Sequence, residues 1–165
     1  MVLSGKEMQL LEGMIGKKAE RILVPLPADS AAKPVEIVVV FSRDSGLLID
    51  SCYRAQKPIE TPAYYPQLRV RLIQDIPNYI NGSSIDLSEE GEIVRAIEVI
   101  SEDVQTSEDT ASYTKSIRIE FTGAREVTIS RETFRSPCLA VYEKEPLRLR
   151  DGETTARITS HIQRL

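Results

Sequence analysis

The sequence predicts a mainly β fold of the α+β kind: two similar antiparallel β units behind a short N-terminal helix. Three observations lead there. A single pattern occurs twice, over residues 16–49 (GKKAERILV, then EIVVVFSRDSGLLI) and over residues 91–129 (GEIVRAIEV, then SIRIEFTGAREVTI). Each copy holds a Gly, an apolar alternation, a polar interruption, a second alternation ending in Phe, a short turn and a third alternation, and a repeat on this scale sets an architecture before any motif is considered. The 41% of apolar residues includes no Trp and only three Phe, so the core must be built from Ile, Val and Leu, which suit a pleated surface. Finally, Ser4-x-x-Glu7 opens the chain as a capping box ahead of an apolar stripe.

In chain order, Met8, Leu11, Met14 and Ile15 recur at helical spacing, and Gly13 or Gly16 ends the helix that Ser4 starts. Residues 20–26 read as a strand with Ile22 and Val24 on one face, stopped by Pro25 and Pro27, which cannot donate to a ladder. Residues 28–34 read as a loop. Residues 35–41 form the most β-prone run. Ile37, Val39 and Phe41 share one face while Val38 and Val40 make the other apolar too, the pattern of a central strand covered on both sides. Arg43-Asp44-Ser45-Gly46 reads as a hairpin turn with positive φ at the Gly, after which Leu47 and Ile49 resume the inner face.

Residues 51–81 differ in texture: Pro58, Pro62, Pro66 and Pro77 fall here, with Tyr53, Tyr64, Tyr65 and Tyr79. Leu68-Arg-Val-Arg-Leu72 alternates as a strand with Arg69 and Arg71 outward. Asn81-Gly82-Ser83-Ser84 reads as the break between halves, and residues 86–91 as a single helical turn. Residues 93–100 repeat the first strand. Residues 101–112 read as an acidic loop with Glu102, Asp103, Glu108 and Asp109. Ile117, Ile119 and Phe121 then match Ile37, Val39 and Phe41, and Val127 and Ile129 match Leu47 and Ile49. Residues 139–142 give a further strand. The tail reads as a hairpin about Asp151-Gly152, with a terminal helix over 155–165 as the alternative. The organisation expected is one domain, residues 1–165, of two pseudo-repeats (about 1–80 and 83–145) and a C-terminal tail, 146–165.

Chemistry-bearing motifs are scarce. His161, the single histidine, reads as a solvated tail residue, and no GxSxG, HExxH or GxxxxGK[ST] occurs. Cys52 and Cys138 stand alone, without the ligand spacing of a metal site, and read as small apolar fillers. No metal and no cofactor is therefore expected. The carboxylate pairs Asp44 with Asp50 and Glu102 with Asp103 remain as a hydrolase alternative. A net charge of −4 disfavours tracking a nucleic-acid backbone. The arginines 131, 135, 148, 150, 157 and 164 read as partners of the chain's own acidic surface. No run approaches the ~18 apolar residues of a membrane span, and the first residues lack a secretion signal, so a cytoplasmic protein is expected.

What remains is a protein partner. Tyr and Arg are favoured at the centres of interfaces, and Pro lowers the entropy lost on docking. The partner-binding residues expected are Tyr53, Arg54, Tyr64, Tyr65, Arg69, Arg71 and Tyr79 in the Tyr/Pro segment, and Glu102, Asp103, Glu108 and Asp109 in the acidic loop, which would meet a basic partner. The well-packed crossover and the merely solubilising loop are the plainer alternatives.

Two copies of Gly-x5-Ile-x-Val, then alternation, Phe, turn and alternation, then aromatic-Arg, carry a family resemblance. The residues are Gly16, Ile22, Val24, Phe41, Ile49, Tyr53 and Arg54, then Gly91, Ile97, Val99, Phe121, Ile129, Phe134 and Arg135. The chain resembles small bacterial proteins of duplicated β units that include immunity proteins encoded beside secreted polymorphic toxins. In that group the aromatic is often Trp; here it is Tyr and Phe. The resemblance implies a non-enzymatic protein that binds and blocks one toxin domain. A structural or assembly subunit of phage or secretion machinery is the second expectation, and the carboxylate hydrolase the third.

Overall fold

The structure, a computed structural model, describes residues 2–25, 34–53, 66–76, 82–105, 110–131, 136–143 and 157–165. It is mainly β with one short helix and two antiparallel sheets. Helix α1, Gly5–Glu12, begins with the capping box: the Ser4 hydroxyl accepts from the Glu7 N–H, and the Glu7 carboxylate accepts from the Ser4 N–H at 2.8 Å. Leu11 and Met14 are buried and Met8 packs half-buried against the core. Ile15 is exposed, against its apparent place in the stripe, because Gly13 caps the helix and Ile15 lies beyond it.

The strands follow as β1 (Lys18–Ala19), β2 (Arg21–Pro25), β3 (Glu36–Ser42), β4 (Ser45–Tyr53), β5 (Pro66–Gln74), β6 (Gly82–Asp86), β7 (Glu92–Gln105), β8 (Thr110–Phe121), β9 (Glu126–Arg131), β10 (Leu139–Glu143) and β11 (Arg157–Arg164). The first sheet has the order β5-β4-β3-β2-β6. The second runs β7-β8-β9-β10, with β1 and β11 also paired to β7. Each sheet is thus a four-strand meander whose fifth strand returns to pair with the first: β6 on β2, and β11 on β7.

The cross-strand register is shared as well. Ile22 faces Val39 and Ile97 faces Ile119. Ile37 faces Ile49 and Ile117 faces Ile129. Ile49 faces Val70 and Ile129 faces Val141. Gly16 and Gly91, each six residues ahead of the matched Ile22 and Ile97, both hold φ in the left-handed region, at 82° and 76°, which favours glycine. At Gly91 a Cβ would also stand 2.7 Å from the Ala19 carbonyl oxygen.

Alternation along the strands turns Ile22, Ile37, Val39, Leu47 and Ile49 of the first sheet, and Ile97, Val99, Ile117, Ile119, Val127 and Ile129 of the second, into one hydrophobic core with Leu3, Leu11 and Met14. α1 closes one side of it. The Val70 N–H, which points off the β5 edge, donates to the Glu7 carboxylate at 3.2 Å, and the Leu3 N–H donates to Thr114 Oγ1 at 3.0 Å. A helix residue thereby covers an edge strand of one sheet, while Leu3, just ahead of the helix, is tied to the other sheet.

Several expectations are corrected. Residues 101–105 and 110–112 are not loop; they extend β7 and β8, because Val104, Ala111 and Tyr113 continue an apolar alternation that the acidic residues mask in composition. Gly82–Asp86 is not a break but β6, paired with β2. Residues 86–91 hold a turn, closed by the Gly91 N–H on the Ser88 carbonyl, and no helix. The tail over 157–164 is not a helix but a strand on β7, where Leu165 also donates to the Ile97 carbonyl; the hairpin turn expected at Asp151-Gly152 lies outside the described residues. Gly46 has no positive φ. Its place is steric: Asp75, itself left-handed at φ 63°, turns the chain so that Ile76 lies over Gly46, and a Cβ there would meet Ile76 Cδ1 at 2.7 Å. Phe41 is half-buried where Phe121 is fully buried, because a register shift after Val40 displaces Phe41 to the rim, under the Lys17 ammonium.

Candidate functional site

The outer faces of the two sheets diverge, although the strands match residue for residue. On the first sheet Val38, Val40 and Leu48 are buried under Leu23, Ile73 and Ile76. At the matching positions of the second sheet stand charges: Glu98 for Leu23, Arg118 for Val38 and Glu120 for Val40. These charges form a ladder. Arg118 bridges Glu98 at 3.3 Å and Glu126 at 2.5 Å, while Arg164 of β11 bridges Glu98 at 3.2 Å and Glu120 at 3.0 Å. Opposite charges on facing strands stabilise a solvated sheet face.

Beside the apolar face of the first sheet, at the β4–β5 edge, lies the group we take as the candidate site. Asp50, only 6% exposed, holds two arginines. Arg69 Nε donates to Oδ1 at 2.9 Å and Arg69 Nη2 to Oδ2 at 2.7 Å, a bidentate fork, and Arg71 Nη2 donates to Oδ2 at 2.7 Å. β pairing dictates this, since Arg69 is directly opposite Asp50 and Arg71 shares its face two residues on. The hydrogen bond to Asp50 pushes the Arg69 guanidinium further above its ordinary pKa. Both arginine side chains stay accessible, at 35% and 46%. The matching residues of the second sheet are Ser130, Ala140 and Tyr142, so the arrangement has no counterpart there.

Of the residues expected to bind a partner, Arg69 and Arg71 are brought together. Tyr53 is the last residue of β4. Arg54, Tyr64, Tyr65, Tyr79, Glu108 and Asp109 lie outside the described residues. Glu102 is corrected: it is buried and accepts a hydrogen bond from the Tyr113 hydroxyl, so it presents no charge to a partner. Burial, then the bond to Glu102, pushes the Tyr113 hydroxyl above its ordinary pKa. Arg131 is corrected with it; its guanidinium, buried rather than on the surface, lies 4.9 Å from the Tyr113 ring centroid. Asp103 pairs with His161 Nε2 at 2.8 Å, so His161 is exposed yet sits on an ordered strand. Ser112 first, and His161 second, hold the Asp103 carboxyl below its ordinary pKa.

The proposed carboxylate pairs do not assemble. Asp44 is in the β3–β4 turn while Asp50 is six residues along β4, roughly 20 Å away at strand rise. Glu102 and Asp103 are neighbours on one strand, so their side chains leave opposite faces. Among the described residues no group of three His, Cys, Asp or Glu could hold a metal ion. Asp50 as the anchor of Arg69 and Arg71 was missed as such by sequence reading; the signal was an Asp inside an apolar strand, facing an Arg-x-Arg strand. No family model, no curated protein and no solved structure matches this chain.

Proposed function

We propose that the chain is a non-enzymatic protein-binding module and, within that class, an immunity-type inhibitor that covers one domain of a toxin. The observation that supports this reading is the arginine pair on Asp50. Two half-accessible guanidinium groups, fixed by one buried carboxylate, lose little side-chain freedom when a partner's carboxylates or carbonyl groups meet them. They stand on the face that differs between two otherwise matching sheets, where the Tyr/Pro segment leaves β4 and rejoins at β5. Other buried or paired carboxylates, among them Glu7 with Val70, Glu98 with Arg118, Glu102 with Tyr113 and Asp103 with His161, are engaged within the chain, which fits a scaffold better than a reaction centre.

The test is titration calorimetry of the full chain against the purified products of the adjacent reading frames. Submicromolar binding to a toxin domain, weakened at least ~10-fold by replacing Arg69 and Arg71 together with Ala, is the expected result. Absence of affinity for every adjacent product contradicts the inhibitor. Binding that the double variant leaves unchanged contradicts this interface.

A further inference from the structure

Among the described residues the edge strands are the two-residue β1 and the longer β5, β6, β10 and β11, and three of those four carry devices that discourage strand addition. β5 has its outward Val70 N–H taken by Glu7. β10 has the Leu139 N–H taken by the Pro34 carbonyl at 2.8 Å. β6 is five residues long. β11 is eight residues long, keeps an unbroken register on β7, and contains no Pro, Lys or bulge; its charged residues, Arg157 and Arg164, stand at its two ends, and Arg164 is held by Glu98 and Glu120. Among the described residues it pairs with β7 alone. It also exposes Ile158 at 39% and Ile162 at 64%.

The outward backbone groups of β11, which no described residue pairs, can be assigned. Leu165 donates to the Ile97 carbonyl, so residues 165, 163, 161 and 159 direct their backbone groups to β7 and residues 164, 162, 160 and 158 direct theirs outward, by the alternation of an antiparallel pair. A strand added here must therefore pair with the even-numbered residues.

We propose that the occupant is a second copy of β11, paired antiparallel about a twofold axis at Ser160. In that register Ile158 faces the partner's Ile162 and Ile162 faces the partner's Ile158. Ser160 faces itself, Thr159 faces His161, and Arg157 faces Gln163. No arginine faces an arginine, and Arg164 stays on Glu98 and Glu120. The same residues that leave both isoleucines in water in one copy bury them against each other in two. The pairing joins the second sheets of two copies into one continuous sheet. It is isologous, using the same edge of both copies, so it closes at a dimer and does not propagate. The arginine pair on the first sheet takes no part and stays available.

The experiment is the solution mass of the full chain by light scattering across a concentration series, with three variants. The wild type should reach twice the 18.5 kDa chain mass. Ile162→Lys should weaken association at least ~10-fold with an unchanged circular dichroism spectrum, since residue 162 is exposed in the single copy. With Cys52 and Cys138 replaced by Ser, Ser160→Cys should give a disulfide-linked dimer on mild oxidation, because facing Cα atoms lie ~5.5 Å apart. Gln163→Cys should not, its two copies being roughly 20 Å apart in this register. A wild type that stays at the single-chain mass overturns the proposal. So does a dimer that survives Ile162→Lys, or one that cross-links through residue 163 and not 160.

Discussion

Ile85 and Leu165 occupy the same seat in different sheets. Ile85 faces Ile22 on β2, and Leu165 bonds to Ile97 on β7, the residue that matches Ile22. Both pack half-buried against the shared core. The last described strand of the chain is therefore the return strand of the second sheet, as β6 is of the first.

Removing the Tyr113 hydroxyl leaves the buried Glu102 carboxylate without that donor. Tyr113→Phe should cost about 1–3 kcal/mol in urea unfolding. It should also change the alkaline limb. A tyrosine whose pKa is raised on folding contributes stability that is fully present below about pH 10, its unfolded value, and is lost as pH rises through the higher folded value. The wild type should lose stability above that pH more steeply than Tyr113→Phe; parallel curves would contradict the assignment.

Asp50→Ala should release Arg69 and Arg71 and cost about 1–2 kcal/mol, a modest figure because both arginines are half in water. The partner affinity should fall by more than this loss of stability explains, since two fixed cations become mobile. Thermal melts and calorimetry on one preparation separate the two effects.

Gly91→Ala should cost about 1–3 kcal/mol, from the left-handed backbone and the close Ala19 carbonyl. Gly5→Ala is the control. Gly5 opens α1 with nothing near its would-be Cβ, so that change should be neutral or slightly stabilising. Equal melting temperatures for the two variants would count against the crossover geometry at Gly91.

Phe121→Ala should cost about 3–5 kcal/mol, and Phe41→Ala clearly less, although the two align in the repeat. Phe121 is 1% exposed and Phe41 sits at the rim. Equal losses would mean that the two rings share one environment.

The repeat was legible because period-2 alternation survives in single residues: Ile117 and Ile119, set between Arg118 and Glu120, name the inner face, and the repeat carries that assignment to Ile37 and Val39. β6 and β11 were not legible. Gly82-Ser-Ser and Thr159-Ser-His carry turn-like or polar composition, and their pairing depends on partners some 60 residues away, which no local window contains. The acidic stretch misled for a related reason: Glu102 reads as solvated until Tyr113 is seen opposite it. At the arginine pair the strand and its outward arginines were readable, but the buried carboxylate that fixes them depends on which strand lies beside β5.

The matching of the two sheets rests most heavily on the seat of β11, and nuclear Overhauser contacts between α-protons test it directly. In antiparallel sheets such contacts are strong at pairs that share no hydrogen bonds, where facing Cα atoms are ~4.5 Å apart. They should appear between Glu98 and Arg164 and between Ile100 and Ile162. Contacts displaced by one or more residues, or sequential amide contacts of a helix over residues 157–164, would contradict it.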